Sequence, residues 1–386
     1  MCGIAGIVDL AAERMPPDGA IQRMARALIH RGPDEGGYYL RPGIAMASRR
    51  LSIVGLESGQ HPMSNEDQSV AVVFNGELFD HVERRAELLS RGHRLVTTCD
   101  TEIIPHLWEE NREGMWERLR GQFAVSVWDT RKRQLNLGRD RFGISPLYWS
   151  RQGDWLLFAS EIRGLLASGM VPARPDRRGI DHMFTFSALP GPITCFEGVQ
   201  LLQPGHYLQV TAGNSRGDTP SIQERAYWEL NFPDEGDEDP ETDPKKLVDR
   251  FEQLLLAGVE ERLPADVPVG SYISGGVDSS MIVALANHLK GPAINTYTIS
   301  VKSPALDELS AAQHVARHSG TKPPIVEEFD SKEALETYPA LIQAAEAPVI
   351  DTSCAALLRL AARVRECGQK VVLTGEAPDE WLVGNP

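Results

Sequence analysis

Residues 267–289 read VPVGSYISGGVDSSMIVALANHL, and this stretch decides the fold of the second half of the chain. The apolar segment Val267–Ile273 predicts a strand, and Ser279–Leu289 predicts a helix. Small residues between them let backbone N–H groups approach a phosphate at the start of the helix. The predicted phosphate loop consists of Ser274, Gly275, Gly276, Val277, Asp278, Ser279 and Ser280, with Asp278 as a magnesium ligand. It lacks the GK[ST] ending of a Walker A loop, and a glycine turn without a ligand is the alternative.

Strands and helices alternate on both sides of this loop. The pattern predicts a helix over Leu247–Arg262, a strand over Ile294–Val301, helices from Asp307 and over Ser353–Glu366, and a strand over Lys370–Leu373. Such alternation is typical of a parallel sheet flanked by helices. We therefore expect an α/β domain over residues 247–386.

A polar turn follows the last predicted strand and reads TGEAPDE, residues 374–380. Acids at the end of a strand beside a nucleotide are placed for magnesium binding and proton transfer. The alternative is that Glu376 and Asp379 are solvated loop acids.

The first part of the chain, residues 1–210, has a different pattern. Short apolar runs alternate with turns rich in Gly, Asp, Asn and Arg, which predicts antiparallel sheets; examples are Val70–Phe74, Phe123–Trp128 and Trp155–Ala159. Helices are predicted near Ala20–Ile29 and Thr101–Glu110. Residues 211–246 connect the two parts and end in PDEGDEDPETDPKK, whose seven acids and three prolines predict an exposed linker.

Length and composition restrict the function. A chain of 386 residues predicts two domains. Its net charge of −15 argues against broad nucleic-acid binding. We find no apolar run of the roughly 18 residues that a membrane span needs, and no signal peptide, so we expect a cytoplasmic protein without a membrane partner. Four of the five cysteines, Cys99, Cys195, Cys354 and Cys367, are expected to be small buried residues without disulfides.

Cys2 is different because it follows Met1 directly. Methionine aminopeptidases remove an initiator methionine when the next residue is small, and Cys2 would then carry the free α-amine. That amine has a reference pKa of about 7.7–8.0, so its neutral form can take the thiol proton directly or through one water. The alternative is that Cys2 merely begins a strand.

Other segments hold the groups that an amide-cleaving thiolate needs. The side chain of Asn75 and the backbone N–H of Gly76 can stabilise an oxyanion, although Asn-Gly also favours a hairpin turn. Arg50 can pair with a carboxylate, although a single arginine usually lies on the surface. Asp100 can bind an ammonium group or, alternatively, cap a helix.

The segments MCGIAGI, HRGPDEGG (His30–Gly37), RRLSIV, FNGE, CDTE and RDRFGISPLYW (Arg139–Trp149) together resemble the class II glutamine amidotransferases, which are N-terminal nucleophile hydrolases. The resemblance implies an α+β domain with two stacked antiparallel sheets between helices. It implies that Cys2 is the nucleophile and that Asn75 and Gly76 form the oxyanion hole. The glutamine site that it implies consists of Arg50, Ile53, Val54, Asn75, Gly76, Glu77 and Asp100.

SGGVDSS resembles the pyrophosphate loop of ATP pyrophosphatases, and TGEAPDE resembles the SGEGxDE stretch of asparagine synthetases. By this resemblance Ile299, Thr374 and Gly375 contact ATP, Glu376 transfers protons, and Asp379 binds Mg²⁺. Asp307–Glu308 and EAPVIDTS (Glu346–Ser353) also fit, with Asp351 near the nucleotide. Ala377 replaces a glycine, which costs about 1 kcal/mol or more if that glycine needs a positive φ.

The resemblance implies a glutamine-hydrolysing asparagine synthetase with ATP and Mg²⁺ as cofactors. Such an enzyme uses glutamine, aspartate and ATP, and forms asparagine through β-aspartyl-AMP. Family members continue well past SGEGxDE with helices that complete the aspartate pocket, so we expect this chain to be truncated at its C-terminus. A homodimer is compatible with the resemblance.

Two alternatives stay open. The first is an amidotransferase that acts on another carboxylate or on a cell-surface or natural-product acceptor. The second is a truncated glutaminase whose nucleotide-binding module carries out no synthesis and serves as a sensor or partner subunit.

Overall fold

The computed structural model describes residues 1–11, 13–213, 219–291, 294–303 and 306–379. The chain forms two compact units, one of Met1–Asn231 with Glu346–Pro348 and one of Phe232–Ala345 with Val349–Pro386. The first unit extends past residue 210, where we expected the first domain to end, because a strand at Ser221–Ala226 pairs with one at His206–Thr211. Residues 380–386 of the expected second domain, including the end of TGEAPDE, lie outside the described residues.

The first unit contains two antiparallel sheets. Its described strands are β1 Gly3–Asp9, β2 Glu35–Arg41, β3 Ile44–Arg50, β4 Met63–Ser64, β5 Val70–Leu78, β6 Gly121–Asp129, β7 Gln134–Arg139, β8 Tyr148–Gln152, β9 Trp155–Ala159, β10 Gln200–Leu201, β11 His206–Thr211 and β12 Ser221–Ala226. One sheet has the order β10-β8-β9-β1-β3-β2, and the other has the order β12-β11-β7-β6-β5-β4. Because β1 lies between β9 and β3, the residue before it is held at the end of a central strand.

Several helices of the first unit pack against the outer faces of these sheets. The described helices are α1 Ala20–Ala27, α2 His81–Ser90, α3 Ile103–Asn111, α4 Met115–Arg118, α5 Ile162–Ala167 and α6 Arg177–Phe186, with 3₁₀ turns at Asp100–Glu102 and Arg112–Gly114. One apolar cluster, containing Ile4, Met46, Val73 and Leu137, joins the two sheets. Two further clusters join β5 and β6 to α3 and α4, and β1 and β3 to α1 and α5. The four layers confirm the expected pair of stacked sheets between helices.

The second unit is built on a parallel sheet, which confirms the expected α/β class. In chain order its described elements are α7 Pro244–Glu260, β13 Val269–Tyr272, α8 Val277–Lys290, β14 Asn295–Val301, α9 Leu309–His318, β15 Ile325–Phe329, α10 Ser331–Ala345, α11 Ser353–Glu366 and β16 Val371–Leu373. The strand order is β15-β14-β13-β16, and all three pairings are parallel. The chain leaves β13 toward β14 and returns to the other side of β13 with β16. This reversal creates a switch point at the carboxyl ends of β13 and β16, where open parallel sheets bind ligands.

The acid-rich segment is exposed, and two of the four cysteines that we expected to be buried are buried. Residues 232–240 are all exposed and contain no helix or strand, as expected for a segment that is rich in acids and proline. All five cysteines are free, and Cys99 and Cys195 are buried. Cys354 is half-buried and Cys367 is exposed, so burial was a wrong expectation for Cys367. The reason is its position, because Cys367 follows the last turn of α11.

None of the described helices is both long enough and apolar enough to cross a bilayer.

Candidate active sites

Cys2 lies immediately before β1, with 8% of its surface exposed. Its Sγ accepts a hydrogen bond from the backbone N–H of Leu51 at 3.4 Å, and its carbonyl oxygen accepts one from Arg31 Nε at 2.8 Å. Burial raises the pKa of the Cys2 thiol, and burial also lowers the pKa of the neighbouring amine of Met1. The thiol therefore needs a base to become a nucleophile, and a buried terminal amine is more easily kept in the neutral form that can act as one.

A small cavity of about 40 Å³ opens beside Cys2. It brings together six further residues that the sequence placed at a glutamine site: Arg50, Ile53, Val54, Gly76, Glu77 and Asp100. Met1 is also part of its wall. Loss of Met1 would therefore enlarge this cavity as well as free the amine of Cys2.

Asn75 and Gly76 lie inside β5, where they pair with Ala124 and Phe123 of β6. This position excludes the hairpin turn that Asn-Gly also favours. Asn75 is fully buried, and neither atom of its side-chain amide has a hydrogen-bond partner among the described residues. It does not line the cavity itself, but Phe74 and Gly76 on either side of it do. A buried donor without a partner costs about 1–3 kcal/mol, so the fold holds this amide at a cost in stability.

Gly76 is required by close packing. A Cβ at this position would lie 2.2 Å from the carbonyl oxygen of Gln122 and 2.7 Å from the Cα of Phe123. Any side chain here would push β5 away from β6 and move Asn75 with it.

Two buried charges border the cavity. Arg50 ends β3 with 4% of its surface exposed, so it is not a surface arginine. Its Nη2 donates to the carbonyl oxygens of Val54 at 2.9 Å and Gly55 at 2.8 Å, which shapes the cavity wall that Val54 forms. Asp100 is also buried, and its Oδ2 accepts the N–H of Leu78 at 3.0 Å. It thus ties the end of β5 to the 3₁₀ turn and does not cap a helix. Burial raises the pKa of Asp100, which favours a cationic partner for its ionised form.

His61 also lines this cavity, and sequence reasoning did not identify it. Burial lowers its pKa to about 3, so the ring is neutral at physiological pH. Its Nδ1 lies 3.3 Å from Ser48 Oγ, and its Nε2 has no partner among the described residues. The sequence contains no signal for this placement, because the Gln60–Pro62 segment has neither strand nor helix periodicity.

A second, larger cavity of about 660 Å³ lies within the second unit. The loop after β13 and the turn after β16 both line it, as the switch point predicts. The sequence-predicted residues that line it are Ser274, Gly276, Asp278, Ser279, Ile299, Asp351, Thr374, Gly375, Glu376 and Asp379. Its apolar walls include Tyr272, Phe329 and Leu357, which sequence reasoning missed.

The predicted phosphate loop precedes α8, which starts at Val277 with Gly276 as its N-cap. The hydroxyls of Ser274 and Ser279 lie 2.8 Å apart, and Ser274 Oγ accepts the N–H of Gly276 at 3.1 Å. Small hydroxyls and N–H groups therefore gather at the positive end of a helix of 14 residues. Three residues of the predicted loop, Gly275, Val277 and Ser280, do not line the cavity.

The two loops approach each other at Gly375. A Cβ there would lie 2.6 Å from the backbone nitrogen of Ser279 and 2.8 Å from the carbonyl carbon of Asp278. Asp278 and Asp379 both line the cavity from these two loops, and two carboxylates form a donor set that suits Mg²⁺.

Acidic groups occupy further positions at the cavity. Glu308 Oε2 accepts the N–H of Gly275 at 3.1 Å, so a carboxylate takes a donor that the sequence assigned to phosphate. Asp351 accepts the N–H of Ser353 at 2.8 Å and its hydroxyl at 2.6 Å, and these hydrogen bonds lower the pKa of Asp351. Ala377 has a φ of 77°, which is the strained conformation expected if a glycine belongs there.

The matches to known protein families divide the chain near the same place as the two compact units do. The family model described as a glutamine amidotransferase domain matches residues 1–228. The family model described as asparagine synthase matches residues 250–386.

Individual relatives match across both units. Asparagine synthetase [glutamine-hydrolyzing] 1 of Bacillus subtilis is 30% identical over 386 residues, which cover 100% of this chain and 59% of the relative. Asparagine synthetase [glutamine-hydrolyzing] 2 of the same organism is 31% identical over 404 residues, covering 100% and 52%. An amidase of Penicillium rubens is 33% identical over 370 residues, covering 92% and 53%. The chain spans between half and three fifths of the length of these relatives.

Proposed function

We propose that the chain releases ammonia from glutamine and uses ATP to transfer it to aspartate, because it belongs to the glutamine amidotransferase family and continues into an asparagine synthase domain. The observation that carries this proposal is the cavity at Cys2. There a buried thiol, a buried arginine and a buried aspartate meet beside an unpartnered amide.

The first reaction follows from this arrangement. After removal of Met1, the α-amine of Cys2 takes the thiol proton, and the thiolate attacks the amide carbon of glutamine. Asn75 and the N–H of Gly76 stabilise the oxyanion, which collapses to a thioester as protonated nitrogen leaves as ammonia. Water then cleaves the thioester to glutamate. Arg50 and Asp100 hold the carboxylate and the ammonium group of the substrate, each with a charge opposite to its own.

The second reaction makes aspartate reactive. Its β-carboxylate attacks the α-phosphorus of ATP, which gives β-aspartyl-AMP and releases pyrophosphate. Ammonia then attacks the acyl carbon, and AMP leaves with its bond electrons as asparagine forms. The Ser274, Gly276 and Ser279 donors bind phosphate oxygens, and Glu376 accepts the proton that the attacking ammonia loses. Asp278 and Asp379 would hold Mg²⁺, which when bound neutralises phosphate charge.

A second candidate keeps the first reaction and changes the acceptor. The similarity to an amidase supports it, because that relative matches 92% of this chain without bearing the name of an asparagine synthetase. In this case another carboxylate, or a cell-surface or natural-product acceptor, would occupy the cavity of the second unit. A glutaminase with a non-synthesising nucleotide module is the third possibility to test. Cytoplasmic location and a homodimer remain predictions.

One assay separates these proposals. The purified chain is incubated with glutamine, Mg-ATP and either aspartate or another carboxylate, and glutamate, pyrophosphate and amide product are measured together. Asparagine synthesis predicts equal amounts of pyrophosphate and asparagine, and only when aspartate is present. Glutamate formation without pyrophosphate for any acceptor, combined with ATP binding at equilibrium, would favour the non-synthesising protein. Absence of glutamate formation contradicts the proposed function.

A further inference from the structure

Two histidines and two glutamates converge in the first unit outside both cavities. Glu66, His93, His106 and Glu109 each present one ligand atom, and these atoms lie within 4.8 Å of one another. None of the four lines the cavity at Cys2. The proposed reactions therefore leave this cluster without a role.

Three separate segments supply these side chains. Glu66 belongs to the turn between β4 and β5, and His93 follows α2. His106 and Glu109 lie on α3, where residues three apart share one face of the helix. Only long-range folding brings them together, and His106 is almost fully buried at the meeting point, with 1% of its surface exposed.

The spacing of the donor atoms is that of metal ligands. The Nδ1 atoms of His93 and His106 lie 3.2 Å apart. Glu66 Oε2 lies 3.2 Å from His106 Nδ1, and Glu66 Oε1 lies 3.5 Å from His93 Nδ1. Four ligands in a tetrahedron around zinc, with bonds of about 2.0–2.1 Å, are separated by about 3.3 Å. The three separations are close to this edge length, and the two that involve Glu66 start from its two different carboxylate oxygens.

Outer contacts hold these side chains in place. His93 Nε2 lies 3.0 Å from Glu110 Oε1, so a carboxylate can fix the ring with its Nδ1 toward the cluster. Asn65 Nδ2 donates to Glu109 Oε2 at 3.2 Å. Arg91 pairs with Glu110 at 2.9 Å, but no such ion pair with an arginine or lysine is found for Glu66 or Glu109 in the described part of the chain.

We propose that Glu66, His93, His106 and Glu109 bind one divalent transition-metal ion, and that zinc suits this donor set best. Two imidazoles and two carboxylates are borderline ligands of the kind that zinc accepts in tetrahedral geometry. The ion would join the turn before β5, the exit of α2 and the face of α3. Its role is structural, because four protein ligands leave no open position for a substrate.

Zinc binding by the full chain tests this proposal. The protein is stripped with a chelator and titrated with Zn²⁺ alone against a chromophoric competitor, and Co²⁺ is used in parallel for its tetrahedral absorption. We expect one ion per chain, a higher melting temperature in zinc, and at least a tenfold loss of affinity in His93→Gln and in Glu66→Gln. Both substituted side chains are partly exposed, so these variants are expected to fold.

His288→Gln is the matched control, because His288 is an exposed histidine on α8 of the second unit. It should bind zinc as the unsubstituted chain does. Zinc held by the exposed Cys367 would contribute equally to all variants and would not produce the difference. The proposal is overturned if the unsubstituted chain binds no zinc, or if His93→Gln and Glu66→Gln bind it as tightly as the control does.

Discussion

At the residue scale, the proposed reaction gives Cys2 two chemical roles, those of nucleophile and of base. Its thiol is buried, which raises the pKa of the thiol and disfavours the thiolate. The proposed base is the α-amine of Cys2 itself, which is free only after Met1 has been removed. Its histidine neighbour does not replace this base, because His61 has a pKa of about 3 and its Nδ1 lies beside Ser48.

The substitution Cys2→Ala tests this division of roles. We expect glutamate release from glutamine to fall about 10⁴-fold or more, because loss of a nucleophile removes the covalent pathway. Any reaction driven by added ammonia should be unchanged, since Cys2 has no part in it. Coupled assays with glutamine and with ammonium chloride provide the measurement, and Cys367→Ala provides the control at an exposed cysteine. Equal loss with both nitrogen sources would contradict the assigned roles.

The low pKa of His61 predicts how folding stability depends on pH. The pKa of a free histidine is 6.5, and burial holds that of His61 at about 3. Between these values the unfolded chain binds a proton that the folded chain does not bind, so folding stability falls as the pH falls. The loss from this residue approaches about 1.4 kcal/mol per pH unit within that window.

Substitution separates His61 from other titrating groups. In His61→Gln the free energy of unfolding, measured by denaturant titration from pH 7 to pH 4, should depend less steeply on pH than in the unsubstituted chain. His318→Gln, which changes a histidine at the end of α9, should keep the original slope. A slope that is unchanged in His61→Gln would mean that the ring titrates normally in the folded state.

At the element scale, the sequence predicts those elements whose burial is strong. Helix α11 has the predicted bounds, Ser353–Glu366, and its four buried residues give a clear apolar face. Strand β15 was not predicted, because it contains two glutamates and buries only Phe329. Helices α2 and α10 were also missed. Each buries a single leucine, and α10 contains Pro339, which argues against a helix in sequence.

The site residues show the same division. Those carried by a family resemblance, such as Arg50 and Asp100, reach the cavity at Cys2. His61 reaches it as well, but from an irregular loop whose path depends on tertiary packing. The sequence places Glu308 in the second domain without a specific role. Only the structure shows that its carboxylate accepts a hydrogen bond from the N–H of Gly275. Contacts between loops that are distant in sequence carry no local signal.

The turn after β16 contains a strained residue, and the strain can be relieved. Ala377 has a φ of 77°, which costs an alanine about 1 kcal/mol relative to glycine. Ala377→Gly should therefore stabilise the second unit by about 1 kcal/mol. The measurement is the free energy of unfolding of the second unit by denaturant titration.

A control with the same substitution gives the opposite sign. Ala361 is an exposed residue inside α11, where glycine costs roughly 1 kcal/mol. Ala361→Gly should therefore destabilise the unit that Ala377→Gly stabilises. Destabilisation by both substitutions would show that Ala377 is not strained.

At the scale of the whole molecule, the buried apolar residues form larger clusters in the first unit than in the second. Three large apolar clusters hold the first unit, whereas the clusters of the second unit are smaller and more numerous. Exposed apolar residues of the second unit include Leu254, Val277 and Leu335. Since apolar burial is the main favourable term in folding, we expect the second unit to unfold first when the temperature is raised.

The exposed segment at the start of the second unit predicts where a protease will cut first. Proteolysis requires several residues of backbone to leave the folded structure, and residues 232–240 are exposed and lie in no helix or strand. Glu235 and Glu238 lie in this segment, and Glu241 follows it. A glutamate-specific protease at low concentration should therefore cut first within 235–241, and mass spectrometry of the fragments identifies the bond.

The triple substitution Glu235→Gln, Glu238→Gln and Glu241→Gln removes these bonds without changing the backbone conformation and should delay the first cut. If the first cut instead follows Glu77 in β5, whose residues are mostly buried, then the first unit opens more readily than this exposed segment and the prediction is wrong.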